Sequence, residues 1–193
     1  MEATTAPITV DQYFAMTYEG DRTQLIDGTI VVNEPLPRHQ LAQAQLLHAM
    51  LGWVEAGPGR GFVSPPINVV LGDRDVYGPD LVWYSDPERI DLDASRNPVP
   101  DLAVEIRSPS TWRYDVGTKK SRYEEHGLPE LWLVDAESRS VLVYRRSSPD
   151  APELDVALEL GEGEALSSPQ LPGFELPVAR LFAAGRSATQ DER

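Results

Sequence analysis

The alternation of apolar and polar positions is clearest over residues 99–135, VPDLAVEIRSPSTWRYDVGTKKSRYEEHGLPELWLVD. A period of two puts Leu102, Val104 and Ile106 on one face of a strand, with Asp101, Ala103, Glu105 and Arg107 on the other. Ser108–Pro109–Ser110 stops that strand, because proline has no N–H for the ladder and restricts the residue before it. A helix is predicted from about Asp115 to His126, with Gly127 as its C-terminal cap and Pro129 blocking continuation. Leu131–Val134 then reads as a largely buried strand. If Ala103 and Leu133 lie on parallel neighbours, the helix is their crossover.

Before this unit, the pattern predicts a short helix from Thr9 carrying Tyr13, Phe14 and Met16. Leu25–Val32 reads as a hairpin turning at Asp27–Gly28, a strong tight-turn pair. A helix over His39–Ala56 has Leu47, Met50, Leu51 and Val54 as its densest apolar stripe. Strands follow at Phe62–Val63, Ile67–Leu71 and Leu81–Tyr84. Asp73–Asp75 reads as a polar turn, and 85–98 as a surface loop. Gly57–Gly61 is a turn without the ending of a phosphate-binding loop. After the central unit come a strand over Val141–Tyr144, another around Val156–Leu160, and apolar packing segments at Leu171–Phe174 and Val178–Phe182. The whole is an α/β or α+β domain with a mixed sheet. One domain over residues 1–185 is expected, with 186–193 a frayed tail.

The 193 residues suffice for a real core, and the absence of cysteine excludes disulfides and thiolate metal sites. No stretch approaches the roughly 20 apolar residues of a membrane span. The N-terminus lacks a signal-peptide pattern, so a cytoplasmic protein is expected. The net charge of −14 opposes bulk, non-specific nucleic-acid binding. It is uneven, however. Residues 107–122 hold five basic residues against one acid, Asp115, whereas 150–175 hold seven acids and no Lys or Arg. The acidic stretch reads as solubilising surface, and the basic one leaves room for a local nucleic-acid patch.

Asp80 precedes one strand and Glu105 lies inside another. Two carboxylates on adjacent strands repel each other unless a divalent cation sits between them, and Mg²⁺ suits such oxygen ligands. A metal-bound water can then act as nucleophile on a phosphodiester, and a Lys or Arg can stabilise the same transition state. Arg107 shares the face of Glu105, and Lys119 comes from the helix that follows. Plainer roles compete: Asp80 as a turn cap, Glu105 in a structural ion pair with Arg107 or Lys119, Asp101 opening its strand, and Tyr123 as core or a positioning group. His39 either caps its helix or lines the cleft. His48 and His126 show no ligand spacing, and Trp112 and Trp132 read as packing residues.

LIDGTIVV at 25–32, PRH at 37–39, GPD at 78–80, PDLAVEIRSPST at 100–111, Asp115 with Lys119 and Tyr123, and GLPELWLVD at 127–135 together resemble the Uma2 family of restriction-endonuclease-like proteins. The resemblance runs from about Val10 to Leu181. It implies a PD-(D/E)xK nuclease core: a restriction-endonuclease-like mixed sheet flanked by helices, with Mg²⁺-dependent phosphodiester hydrolysis and Mn²⁺ a plausible substitute. In that pattern Asp80 and Glu105 match the metal-binding acids. The usual lysine position falls on Arg107, while Lys119 matches a basic residue the family supplies from the next helix. Arginine does not deprotonate, so Lys119 is placed ahead of Arg107 as the catalytic cation. Asp101, His39 and Tyr123 are accessory candidates. Arg113, Lys120 and Arg122 lie outside the expected metal shell and are candidates for contact with DNA. A homodimer would serve two-strand cleavage. The competing expectations are a nuclease-like module without catalysis, binding nucleic acid or protein, and a different metal-dependent hydrolase.

Overall fold

The computed structural model describes residues 6–17, 22–108 and 112–183; the expected tail at 186–193 lies outside them. Its central layer is a six-stranded sheet. The strands are β3 (Phe62–Ser64), β6 (Leu81–Tyr84), β7 (Leu102–Ile106), β8 (Glu130–Asp135), β9 (Ser140–Arg145) and β10 (Val156–Leu160). Their spatial order is β10-β9-β8-β7-β6-β3. Only β7 and β8 pair in parallel, with Ala103 opposite Leu131 and Glu105 opposite Leu133. The connection between them is the expected helical crossover. A smaller sheet, β2-β1-β5-β4, is built from β1 (Thr23–Ile26), β2 (Thr29–Val32), β4 (Val69–Leu71) and β5 (Asp75–Tyr77). Strands β11 (Ala165–Leu166) and β12 (Leu176–Pro177) form a third pair.

The large sheet is covered on both faces. On one, α2 (Pro37–Glu55) and α5 (Val178–Leu181) pack onto Leu81, Leu102, Val104, Ile106, Trp132 and Val134. On the other, Tyr123 and Leu128 with Ile26, Leu71 and Tyr77 of the small sheet cover Val82, Tyr84, Ala103, Leu131 and Leu133. The period-2 face assignment of β7 therefore holds, but its second face is not solvated. All five residues of the strand are buried, Glu105 included. A short helix α1 (Val10–Met16), closed by a Thr9–Gln12 capping box, seals the outer side of the small sheet through Val10 and Tyr13.

Three sequence expectations shift. The buried stripe of α2 is His39, Ala42, Leu46, Met50 and Trp53, with Leu47 and Val54 only partly buried and Leu51 exposed. Starting the helix at Pro37 puts the core face on the i, i+3/i+4 series that runs through Trp53. Asp75 is the buried first residue of β5 rather than part of a turn. Its carboxylate accepts from the Asp27 amide at 2.8 Å and the Tyr77 hydroxyl at 2.9 Å, tying the hairpin to β5. The crossover is helical from Trp112, not Asp115: α3 (Trp112–Tyr114) runs into a π-helical turn at Asp115–Lys119 and then α4 (Lys120–Glu125). Gly127 ends it with φ +78°, as expected of a helix-terminating glycine.

Gly61 meets a stricter demand. A Cβ there would lie 2.1 Å from the Tyr84 carbonyl oxygen, so only glycine allows β3 to approach β6 in this way.

Candidate active site

Antiparallel pairing of β6 with β7 sets Leu81 opposite Val104, so Asp80 arrives one step further on, at the level of Glu105. Asp80 is held from two sides. Its Oδ2 accepts from the Ile106 amide at 2.6 Å, and its backbone carbonyl accepts from Gln43 Nε2 of α2 at 2.8 Å. His39, also on α2, brings Nε2 to 3.1 Å from Asp80 Oδ1. That contact is close but poorly aligned, since neither buried ring nitrogen of His39 makes a hydrogen bond among the described residues. The expected helix-start histidine is thus inside the protein, beside the site.

Glu105 is 3% exposed. Its Oε2 lies 3.0 Å from Lys119 Nζ, and its Oε1 accepts from the Tyr123 hydroxyl at 2.9 Å. Lys119, with no exposed surface, also reaches Asp115 Oδ1 at 2.9 Å and stands 5.6 Å from the Tyr77 ring centroid. Asp115, Lys119 and Tyr123 recur every four residues, and this spacing brings all three to one face of the crossover. The π-helical turn that carries Asp115 and Lys119 is the kind of irregularity that often accompanies functional sites.

Burial pushes the Glu105 carboxyl up to about 8. Lys119 pulls it back down, while the negative charges of Asp115 and Asp80 add to the rise. Burial alone would lower the proton affinity of Lys119, but Asp115 and Glu105 outweigh it and the ammonium is held above the ordinary lysine range. Burial, reinforced by Glu105, raises Tyr123 well above the usual phenol range, so it stays a neutral donor.

The structure therefore brings together Asp80, Glu105, Lys119, Tyr123 and His39. It directs Arg107 elsewhere: its guanidinium pairs with Asp135 at 2.7 Å and Glu137 at 3.0 Å, and lies 5.4 Å from the Trp112 ring centroid. Asp101 accepts from the Ser85 amide and hydroxyl and pairs with Arg89 at 2.9 Å, which anchors the surface loop. The cations expected to meet nucleic acid have internal contacts. Arg113 donates to the Tyr114 hydroxyl, and Lys120 stands over the Tyr144 ring. Arg122 pairs with Glu125 at 2.7 Å and approaches Asp75 at 3.4 Å. Sequence reasoning did not single out Asp115 as a site residue or Gln43 as a clamp on Asp80. The four-residue spacing of Asp115, Lys119 and Tyr123 was a usable signal for the first; nothing local marked the second.

The family model described as "Uma2: Putative restriction endonuclease" matches residues 10–179. The chain belongs to the Uma2 family. Among curated proteins nothing matches it. Its fold resembles that of a crystal structure titled as a putative nuclease belonging to DUF820, from Anabaena variabilis ATCC 29413. The TM-score is 0.76 at 20% identity, covering 92% of this chain and 98% of the other. The Uma2 match and the mixed sheet flanked by helices agree on a restriction-endonuclease-like fold.

Among the described residues, no group of three or more His, Asp or Glu side chains is arranged to hold a metal ion. Asp115 faces Lys119, which leaves Asp80 and Glu105 as the two carboxylates that the strand register sets at one level. That number suits Mg²⁺, which is usually held by one or two carboxylates and completes its shell with water and phosphate oxygens. The charge of Asp80 raises the proton affinity of Glu105, and a cation between them would relieve that repulsion. Among the described residues no helix is long and apolar enough to cross a membrane.

Proposed function

We propose that this Uma2 protein is a metal-dependent endonuclease that hydrolyses DNA phosphodiester bonds, with Asp80 and Glu105 as the ligands of Mg²⁺ or Mn²⁺. Bound there, the ion would polarise the phosphate and lower the pKa of a water nucleophile. The observation that carries the reading is the pairing of Glu105 with Lys119 inside the site, opposite Asp80 in the strand register. Lys119 offsets part of the cost of ionising Glu105 in a buried place and fixes its Oε2. Tyr123 fixes Oε1, and the Ile106 amide and Gln43 hold Asp80, with the His39 ring packed beside it. Lys119 stands ahead of Arg107 as the working cation, because the Arg107 guanidinium is committed to Asp135 and Glu137. Arg113, Lys120 and Arg122 are the proposed contacts to the phosphate backbone, Arg113 being the most exposed. A homodimer acting in the cytoplasm would bring two such sites to one nucleic acid.

A second reading has one observation in its favour. Glu105 is enclosed, and both of its oxygens are engaged by the protein. A nuclease-like module that binds nucleic acid or protein without cutting would tolerate such a site. Plasmid nicking with Mg²⁺ or Mn²⁺, run beside Glu105→Gln, decides between them. Metal-dependent nicking lost in the variant is the expected result. Absence of nicking, or nicking unchanged in Glu105→Gln, would overturn the nuclease.

A further inference from the structure

Asp80 is among the residues lining a cavity of about 950 Å³ bounded by α1, the β1–β2 hairpin, the N-terminal part of α2 and the loop at 92–97. The volume is near the top of the range of about 300–1,000 Å³ found for small-ligand sites, large enough for a nucleotide. Two features mark it as built for a polar, planar ligand. Gln24 is 3% exposed and Asn33 is half-buried; both line the cavity, and the buried amide oxygens Gln24 Oε1 and Asn33 Oδ1 accept no hydrogen bond among the described residues. Buried polar atoms are nearly always paired, so two such amides in one cavity call for an explanation. The second feature is a stacked pair: the Arg96 guanidinium, held by Asp11 at 2.8 Å, stands over the Phe14 ring 4.6 Å from its centroid, and both residues line the same cavity. Aromatic rings and arginine planes are the surfaces on which unpaired bases stack.

Resting on the endonuclease reading above, we infer that this cavity receives a single nucleobase splayed out of its strand beside the phosphodiester at Asp80, so that the substrate is single-stranded or locally opened nucleic acid. The Gln24 and Asn33 amides would take the hydrogen-bonding edge of the base, as side-chain amides do for adenine. The base would stack on the outer side of the Phe14–Arg96 pair, with Arg22 available for a neighbouring phosphate. The charge of the protein favours this mode. At −14 it gains little from the dense phosphates of a duplex, so base contacts must carry the affinity.

The test is fluorescence anisotropy in EDTA, where no cleavage competes. The probes are a 12-mer oligo(dA), a 12-mer abasic strand of equal charge and a duplex hairpin. Oligo(dA) should bind at least about tenfold more tightly than the abasic strand, the size expected for one stacked base, and more tightly than the hairpin. Phe14→Ala and Asn33→Leu should each remove most of that advantage and leave the abasic strand unaffected. Gln24→Met should do the same, and the more exposed Asn33 and Phe14 positions keep the test valid if that strand variant fails to fold. Equal binding of base-bearing and abasic strands, tighter binding of the hairpin, or variants that weaken both strands equally would overturn the inference. Cleavage is scored separately on wild type and Glu105→Gln. Base-dependent binding without cleavage would remove the nuclease reading alone, whereas metal-dependent cleavage with base-independent binding would remove the base site alone.

Discussion

Lys119 Nζ lies 3.0 Å from Glu105 Oε2, and neither side chain exposes more than a sliver of surface. With Asp115 at 2.9 Å, one ammonium serves two buried carboxylates. With both carboxylates ionised, Glu105, Asp115 and Lys119 together sum to one negative charge in excess, before Asp80 is counted. A proton on Glu105 or an external cation removes that excess, and several consequences can be measured.

Removing the ammonium should damage the fold as well as the chemistry. Lys119→Ala leaves Glu105 and Asp115 facing each other in a dry interior, and breaking a buried pair in this way costs about 3–5 kcal/mol. Urea denaturation should register that loss. Lys119→Met combined with Glu105→Gln removes both charges while nearly keeping the volume, and should recover a large part of it. A Lys119→Ala protein with the wild-type midpoint would show that the cluster does not have the electrostatic weight assigned here.

The pH dependence has a definite sign. Glu105 is raised from its ordinary 4.5 to about 8, so between these values the folded protein keeps a proton that the unfolded chain has released. Its contribution to stability is therefore present below about pH 4.5 and is lost as the pH rises to about 8. Lys119 is also raised, so its contribution stays complete up to the ordinary lysine value and does not interfere in this window. In EDTA, denaturation midpoints of wild type relative to Glu105→Gln should fall from pH 4.5 to 8 and level off above. A difference that rises over this range would reverse the assignment.

Tyr123→Phe isolates one donor. Its hydroxyl gives Glu105 Oε1 a 2.9 Å hydrogen bond in a fully buried place. A hydrogen bond to a charged group contributes about 1.5–3 kcal/mol and one to a neutral group about 0.5–1.5 kcal/mol. The cost of the variant should thus be larger at pH 9, where Glu105 is ionised, than at pH 5. Equal costs at the two pH values would mean that Glu105 does not change state between them.

Much of this site was legible in the sequence, and the reasons differ by residue. Glu105 stood out because a carboxylate between Val104 and Ile106 interrupts an apolar run. Gly127 and Pro129 marked where the crossover had to end. What covers the second face of β7 was not legible, because the helix and small sheet that pack on it come from segments distant in sequence. The same long-range packing decides that Arg107, at the position where the resemblance places a lysine, turns to Asp135 and Glu137. It also makes Asp75 a buried anchor, where the local DRD pattern reads as a turn. His39 was ambiguous because a histidine at a helix start can cap the helix or turn inward, and only the tertiary structure sets its ring against Asp80.

Arg107 gives a clean contrast with Lys119. Glu137 is more than half exposed, so that pair is screened, while Asp135 is buried but keeps the Glu137 and Ser138 amides as donors when the guanidinium is removed. Arg107→Ala should therefore cost about 1.5–3 kcal/mol, the size of one hydrogen bond to a charged group and less than the loss at Lys119. Single-turnover cleavage should change only a few-fold, whereas Lys119→Met should lose most turnover. A crippled Arg107→Ala enzyme beside an active Lys119→Met enzyme would transfer the catalytic cation to Arg107.

The last prediction concerns the metal, and it needs no catalytic turnover. If Asp80 and Glu105 share one cation, the ion binds the folded chain and not the unfolded one, so it must stabilise the protein. At a concentration one hundred times its dissociation constant, the gain is about 2.7 kcal/mol. Thermal unfolding should therefore shift upward with Mg²⁺ or Mn²⁺ in a saturable way. Each variant is compared with its own EDTA baseline, which separates lost binding from lost stability. Asp80→Asn keeps an oxygen to accept the Ile106 amide, so its fold should survive while its metal response disappears. Glu105→Gln should lose the response as well. The response should also weaken as the pH is lowered from 9 to 6, because the proton that Glu105 takes up competes with the ion for the same carboxylate. Metal shifts of equal size in wild type and both variants would place the ion away from these carboxylates and remove them as its ligands.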